Sequence, residues 1–169
     1  ARPEQIASMI EDLTGFRWQV DFSMFNLPQL GTIELPLDTF IGYQVLGGGI
    51  DSASVTRPGH TDSATTSLFL RAFAAEAAAY VVETDLAAAD PAARRLLTLS
   101  AADVDEAAVR AELSRLHARI YGELAEPGDE AVGETFGLWK AVLDRSGDAR
   151  RAWKATLTAM LQDVRIAYY

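Results

Sequence analysis

Three successive patterns of apolar residues at helical spacing fill the carboxy-terminal half of the chain, and they constrain the fold more than any other feature. Each pattern follows an aspartate that can cap a helix, and a glycine follows each of the first two. The patterns predict helices that begin at 103 or 105 and end near 121, and helices over about 129–146 and 148–164. Because the loops between them are short, we expect the three helices to pack as antiparallel neighbours.

Three further helices are predicted upstream. The longest spans about 61–83; its many alanines are strong helix formers whose small side chains permit close helix contact, so we expect it to be central. An aspartate followed by proline predicts a short helix over about 90–97. At the front of the chain, residues 3–13 predict another helix, which Gly15 closes.

Residues 16–60 differ from the rest, since they hold three prolines and six glycines with apolar residues at no sustained helical period. We expect short extended pieces and turns in this segment, which we call the amino-terminal wrap. A long segment without regular helix is more often functional than idle in a compact domain, so a site is expected to touch it. The predicted fold class is mainly α: a single domain over 1–169, a bundle of about six helices with its helical core over 61–169.

Charge is spread unevenly along the chain. The net charge is −9, of which residues 1–90 carry −8 and residues 91–169 carry −1. An acidic amino-terminal half is a poor candidate for nucleic acid, which needs a basic stripe, and it favours a protein partner. The chain contains no cysteine, which excludes disulfides, thiol catalysis and thiolate metal ligands.

No window of the sequence is apolar over the length that a membrane span requires, and the amino terminus lacks the signature of a targeting peptide. The composition is typical of a soluble globular protein. Because the chain begins at Ala1 rather than Met, we expect that a signal peptide, an upstream domain or an expression tag has been removed.

The stretch VLGGGIDSASVTRPGH, residues 45–60, contains a run of three glycines. Residues 47–52 resemble the phosphate-binding loop of the ATP pyrophosphatases, in which backbone amides and a following helix hold a pyrophosphate. Here poor helix formers at 54–56 and the breaker Pro58 follow, so that helix cannot form. We therefore expect no nucleotide or other cofactor, and we predict that the glycines provide positive φ or close backbone packing.

His60 stands two residues before Asp62, and the two could form an acid–base pair or contribute two metal ligands. Asp51 and Arg57 are the nearest further candidates for such a site. The alternative is structural, because residues 61–63 can begin the long helix with His60 as a loop residue before it.

Aromatic residues are dense at the start of the wrap. Core packing is the favoured interpretation of this cluster, and a recognition surface for a partner is the alternative. The two tyrosines at the end of the chain are either a frayed end or an anchor onto a partner. The partner-binding candidates are Phe16, Trp18, Phe22, Phe25, Tyr168 and Tyr169.

Three segments carry a family resemblance. LTGFRW at 13–18, GGIDSASVTR at 48–57 and AWKATLTAMLQDVRIAYY at 152–169 resemble parts of a helical domain in large modular proteins of unknown function from planctomycetes and myxobacteria. Such domains are often exported and often accompany c-type haem modules, although this chain has no Cys-x-x-Cys-His motif. The resemblance implies a helical module of an exported or envelope-associated assembly, with any electron carrier elsewhere, and no catalytic residues carry over from it.

Two main hypotheses about function follow. In the first, the chain is a non-catalytic interaction or scaffold module that presents its acidic, irregular half to a protein partner. In the second, it is a small enzyme or metal-binding domain that uses the loop containing Asp51, Arg57, His60 and Asp62. Nucleotide binding through the three glycines is the third.

Overall fold

A computed structural model gives the fold. It describes residues 3–22, 31–38, 43–50, 53–57 and 64–167. The protein is mainly α with one short two-stranded sheet near the amino terminus, which confirms the predicted fold class. The helices are α1 (Pro3–Thr14), α2 (Tyr43–Leu46), α3 (Ala64–Asp85), α4 (Glu106–Tyr121), α5 (Glu130–Ser146), α6 (Ala149–Leu161) and α7 (Val164–Ala167), and the strands are β1 (Gln19–Asp21) and β2 (Thr32–Glu34).

The alanine-rich helix α3 buries one face from Phe69 to Asp85 and packs most extensively against α6, which in turn packs against α5. Ala77, Ala78 and Val81 on α3 have no exposed surface, since their small side chains let the neighbouring helices approach closely. Trp139 of α5 and Trp153 of α6 meet in the same core with their ring centroids 5.8 Å apart. Truncating a buried tryptophan of this kind typically costs about 3–5 kcal/mol.

Two of the three predicted aspartate caps at the starts of the carboxy-terminal helices form side-chain hydrogen bonds. Asp105 accepts a hydrogen bond from a first-turn amide of α4, and Gly122 ends that helix with a φ of 70°. Asp148 accepts hydrogen bonds from two amides at the start of α6. At the start of α5, the carboxylate of Asp129 instead accepts a 2.9 Å hydrogen bond from the backbone N–H of Glu126 in the preceding turn.

The prediction of a short helix over 90–97 is wrong. Asp90 does cap a turn, but that turn is a single 3-10 turn at Pro91–Ala93. The chain beyond it cannot continue as a helix, because the backbone amides of Leu96 and Leu97 donate to the carboxylate of Asp85. Both leucine side chains are fully buried in the core.

The described part of the amino-terminal wrap contains short extended pieces and turns, as predicted, and also the single helical turn α2, which was not predicted. β1 and β2 pair antiparallel with Gln19 opposite Glu34, and a 3-10 turn at Leu35–Leu37 follows the second strand. Leu35 is buried. The 3-10 turn contacts both α1 and α2, and these contacts tie the wrap to the amino-terminal helix.

Candidate functional site

The loop with the four predicted catalytic or metal-binding residues lies largely outside the described residues. Of these four, the structure describes Arg57, whose side chain is exposed. A joint site for the four residues therefore stays a prediction. The predicted site and partner-binding residues outside the described part of the chain are Asp51, His60, Asp62, Phe25, Tyr168 and Tyr169.

Each of the three glycines at 47–49 has a structural use. A Cβ atom at Gly47 would lie 2.9 Å from Cγ of Pro3, and one at Gly49 would lie 2.8 Å from the backbone oxygen of Gln44. Gly48 has a φ of 89°, a conformation that glycine adopts without strain. The amides of Gly48 and Gly49 donate to carbonyls of α2. These amides form the hydrogen bonds of the turn after α2. The predicted roles of the glycines in positive φ and close packing are confirmed.

Two of the aromatic partner candidates lie against α3. Phe16 has its ring centroid 6.0 Å from that of Phe73 and 5.6 Å from that of Tyr80. The Trp18 ring stacks on Phe73 at 5.3 Å. Phe22 follows β1 and is half-buried. The faces of Phe16 and Trp18 that touch α3 pin the wrap to the core, and partner binding by the three aromatic residues stays a prediction.

An apolar cleft lies between the wrap and the central helix. Leu46 of α2 and Thr65, Leu68, Phe69 and Ala72 of α3 line a cavity of about 320 Å³, which we call the Leu68 cleft. Leu68 is 66% exposed and Leu46 is 42% exposed, whereas Phe69 is buried beneath them. A cluster of exposed leucines over a hollow is the surface that an apolar side chain from another molecule would fill.

A groove of opposite character runs between α3, α5 and α6. It has a volume of about 510 Å³ and contains three cationic side chains, and we call it the basic groove. One of the three, Arg151, lies 3.5 Å from the carboxylate of Asp148. The lining includes Arg71, Leu138, Arg151, Lys154, Ala155 and Ala159.

Asp85 is the first of two buried carboxylates that hold the segment between α3 and α4. Its side chain is 3% exposed, and its oxygens accept hydrogen bonds from the backbone N–H groups of Arg95, Leu96 and Leu97 at 3.0, 2.8 and 2.8 Å. Three charge-assisted bonds compensate for the desolvation of one buried carboxylate. Asp85 is therefore a structural anchor.

Glu112 of α4 is the second buried carboxylate. It accepts hydrogen bonds from the backbone N–H of Thr98 at 2.7 Å and from the guanidinium of Arg115 at 2.8 and 3.0 Å. The same guanidinium donates to the backbone oxygen of Leu96. Burial raises the pKa of the Glu112 carboxyl, but the hydrogen bonds from Arg115 and Thr98 outweigh it and leave that pKa below its ordinary value. The carboxylate form is thus the one that this site stabilises.

His117 is buried, with 2% of its side chain exposed. Its Nε2 lies 3.0 Å from the hydroxyl oxygen of Thr135 on α5. Its Nδ1 has no hydrogen-bond partner among the described residues, and it lies 3.9 Å from the Glu123 carboxylate. Burial and the positive charge of Arg165 lower the pKa of His117, against the opposite effect of Glu123.

Arg165 closes this cluster from the side of α7. Its guanidinium donates to the carboxylates of Glu123 at 2.8 Å and Asp163 at 2.9 Å, and it lies 3.8 Å from the centroid of the Tyr121 ring. The hydrogen bond from Arg165 lowers the pKa of Asp163. The Tyr121 hydroxyl donates to the backbone oxygen of Met160. The cluster joins α4, α6 and α7, and its histidine is buried.

In the part of the chain that the structure describes, no group of three or more side chains is arranged to hold a metal ion. Within the same residues, every helix is too short or too polar to cross a bilayer.

Comparisons with protein-family models, with curated proteins and with solved structures found no match to this chain.

Proposed function

We propose that this chain is a non-catalytic interaction module of a larger assembly, and that the Leu68 cleft is where its amino-terminal half receives a protein partner. The observation that carries the proposal is the pair of exposed leucines, Leu46 and Leu68, over a cavity of about 320 Å³. At about 25 cal/mol per Å², leaving two such side chains in water is unfavourable, and covering them with a partner recovers that free energy.

The net charge of the amino-terminal half indicates the chemistry of the partner. Residues 1–90 carry a net charge of −8. Arg17, one of the few cations there, is within 3.3 Å of both Glu11 and Glu34. The amino-terminal half therefore carries an excess of negative charge. A complementary partner segment has an apolar side chain to enter the cleft and lysine or arginine residues on either side of it.

The resemblance of this chain to a helical domain of large modular proteins supports the same proposal, because such a domain works beside other modules. Membership of that group is part of the proposal. Under it, the partner is another domain or chain of an exported or envelope-associated assembly.

Photo-crosslinking tests the proposal. p-Benzoylphenylalanine is introduced in place of Leu68 and, as a matched control, in place of Leu124, a leucine that is 95% exposed in the loop after α4. We expect one partner chain to cross-link from position 68 and not from 124, through a segment with apolar residues flanked by lysine or arginine. Equal cross-linking from both positions, or cross-linking only to a second copy of this chain, would overturn the proposal.

A second pair of variants tests whether the cleft is needed. Leu68→Glu places a charge over the cleft and should weaken binding of the cross-linked partner at least tenfold, whereas Leu124→Glu should leave it within twofold. Both variants should keep the unfolding midpoint of the parent chain, because both leucines are exposed. If Leu68→Glu folds and binds like Leu124→Glu, the partner docks elsewhere.

A further inference from the structure

We propose that the basic groove between α3, α5 and α6 is a second docking site, which binds an acidic, partly apolar segment of a polypeptide. This site lies on the helical core and does not depend on the Leu68 cleft. Its occupant has the opposite charge to the partner proposed for the amino-terminal half.

Charge is the first argument. Arg71, Arg151 and Lys154 line the groove, and none of the described residues in its lining is a carboxylate, although the chain as a whole has a net charge of −9. Among the described residues, Arg71 and Lys154 have no carboxylate within ion-pair distance, and Arg151 has only Asp148 at 3.5 Å. A concentration of unneutralised positive charge on an acidic protein attracts anions to that place.

The shape of the groove is the second argument. Its lining runs along α6 from Arg151 through Lys154, Ala155 and Thr158, and it ends at Gln162, the residue that caps the carboxy-terminal end of that helix. Residues three and four apart share a helix face, and eleven residues of helix span about 16 Å. A site of that length fits an extended piece of polypeptide or a short helix, and it is too long for a single phosphate or carboxylate ion.

The apolar part of the lining distinguishes a polypeptide from a nucleic acid. Leu138 of α5 is 38% exposed at the groove, and Ala155 and Ala159 provide small apolar surfaces on α6. Protein–DNA interfaces are more polar than protein–protein interfaces, and about half to two-thirds of their hydrogen bonds go to phosphate and sugar. An amphipathic segment matches both parts of the lining: its glutamate or aspartate residues would pair with the cations, and its leucine or alanine residues would pack against Leu138.

The experiment uses the whole chain and a defined probe. The probe is a fluorescein-labelled fifteen-residue peptide of glutamate, leucine and alanine in helical register, and its control has glutamine in place of every glutamate. Because Arg71 lies one helical turn from Leu68, the variant is made on α6 instead, as Arg151→Glu with Lys154→Glu. The control variant is Arg119→Glu with Arg145→Glu, two exposed cations outside the groove.

Fluorescence anisotropy should show that the acidic peptide binds the parent chain, that the Arg151→Glu, Lys154→Glu chain binds it at least tenfold more weakly, and that the control chain stays within about twofold. The milder pair Arg151→Gln with Lys154→Gln should give an intermediate loss and guards against misfolding of the charge-reversed chain. Equal loss in the control chain, equal binding of the glutamine peptide, or displacement of the peptide by inorganic phosphate or by a (dT)15 oligonucleotide at lower concentration would overturn the inference.

The outcomes separate the two proposals. If cross-linking from Leu68 succeeds and the acidic peptide fails to bind, the basic groove is not a docking site while the proposed function stands. If the parent chain self-associates in sedimentation and the Arg151→Glu, Lys154→Glu chain does not, the groove binds the acidic half of a second copy, and the inference of a separate partner is wrong.

Discussion

The carboxylate of Asp85, on the last residue of α3, accepts a 2.8 Å hydrogen bond from the backbone N–H of Leu97, twelve residues further along the chain. The same oxygen accepts from Leu96. One carboxylate at a helix end thus fixes the path of the following loop, and it positions two leucines whose side chains are fully buried in the core. This contact explains why a segment without regular helix can contribute to the interior.

Asp85→Asn should lower the free energy of unfolding by about 2–4 kcal/mol, because a side-chain amide offers one neutral oxygen and turns an N–H₂ group toward backbone donors. The matched control is Glu83→Gln on the exposed face of the same helix, which should change stability by less than about 0.5 kcal/mol. Urea unfolding followed by tryptophan fluorescence measures both. A loss in Asp85→Asn no larger than that in Glu83→Gln would show that the three backbone bonds contribute little.

The helix boundaries that the sequence could predict are set by local signals. Asp105 and Asp148 cap the starts of α4 and α6, and their carboxylates bind amides only two or three residues away. Gly122 and Gly147 end α4 and α5 with positive φ. Each signal lies within a few residues of the boundary it sets, so a sequence pattern can recognise it.

The features that the sequence could not predict depend on partners far away along the chain. The predicted helix over 90–97 failed because the amides of Leu96 and Leu97 bond to a residue eleven and twelve positions earlier. His117 is buried because Thr135 of another helix lies against it. At the candidate surfaces, the basic groove combines Arg71 of α3 with Lys154 of α6, and nothing in either helix alone indicates that they meet.

The ion pair between the buried Glu112 and the partly exposed Arg115 should make stability depend on acid pH. The pKa of Glu112 lies below its ordinary value of 4.5 in the folded chain, so the unfolded state takes up a proton first as pH falls. The stabilising contribution is therefore complete above about pH 4.5 and is lost as the pH falls through the lower folded value. Glu112→Gln should cost about 2–4 kcal/mol near neutral pH, where the carboxylate is intact.

Urea unfolding at a series of pH values between about 3 and 7 tests this, and the slope below about pH 4.5 should be shallower in Glu112→Gln than in the parent chain. Glu106→Gln is the control, because Glu106 forms an exposed pair with Arg110 on the same helix and surface pairs contribute less than about 1 kcal/mol. Parallel pH curves for the parent and Glu112→Gln chains would contradict the assignment.

His117 should give a second, separate pH dependence. Because burial lowers its pKa below 6.5 in the folded chain, the unfolded chain binds the proton more tightly. Stability is complete above about pH 6.5 and falls as the pH drops from there toward the folded value. The groups that set this balance are Glu123, Asp163 and Arg165, with Thr135 at Nε2 and the Tyr121 ring edge-on to the imidazole.

The chain has two histidines, so each can be removed in turn. His117→Gln should abolish the fall in stability between about pH 7 and pH 5, whereas His60→Gln should retain it. Unfolding midpoints in urea at half-unit pH intervals provide the measurement. A parent chain that becomes more stable as the pH falls would mean that protonated His117 pairs with Glu123 in the fold, and that folding raises the pKa of His117 instead of lowering it.

The glycines at 47–49 should matter for folding and not for phosphate. A Cβ atom at Gly49 would lie 2.8 Å from the backbone oxygen of Gln44, and backbone cannot move aside as a flexible side chain can. Gly49→Ala should therefore destabilise the chain by about 1–3 kcal/mol. Gly128→Ala is the control, since nothing lies within 4 Å of its Cβ position, and it should be neutral or stabilising by up to about 1 kcal/mol.

Thermal unfolding of the two variants, with and without ATP and Mg²⁺, separates the structural role of the glycines from phosphate binding. A purely structural turn predicts a lower unfolding temperature for Gly49→Ala and no effect of nucleotide on any chain, because the amides of Gly48 and Gly49 already donate to α2. A phosphate-binding loop predicts that nucleotide raises the unfolding temperature of the parent chain and loses that effect in Gly49→Ala. That second pattern would make residues 47–52 a ligand site.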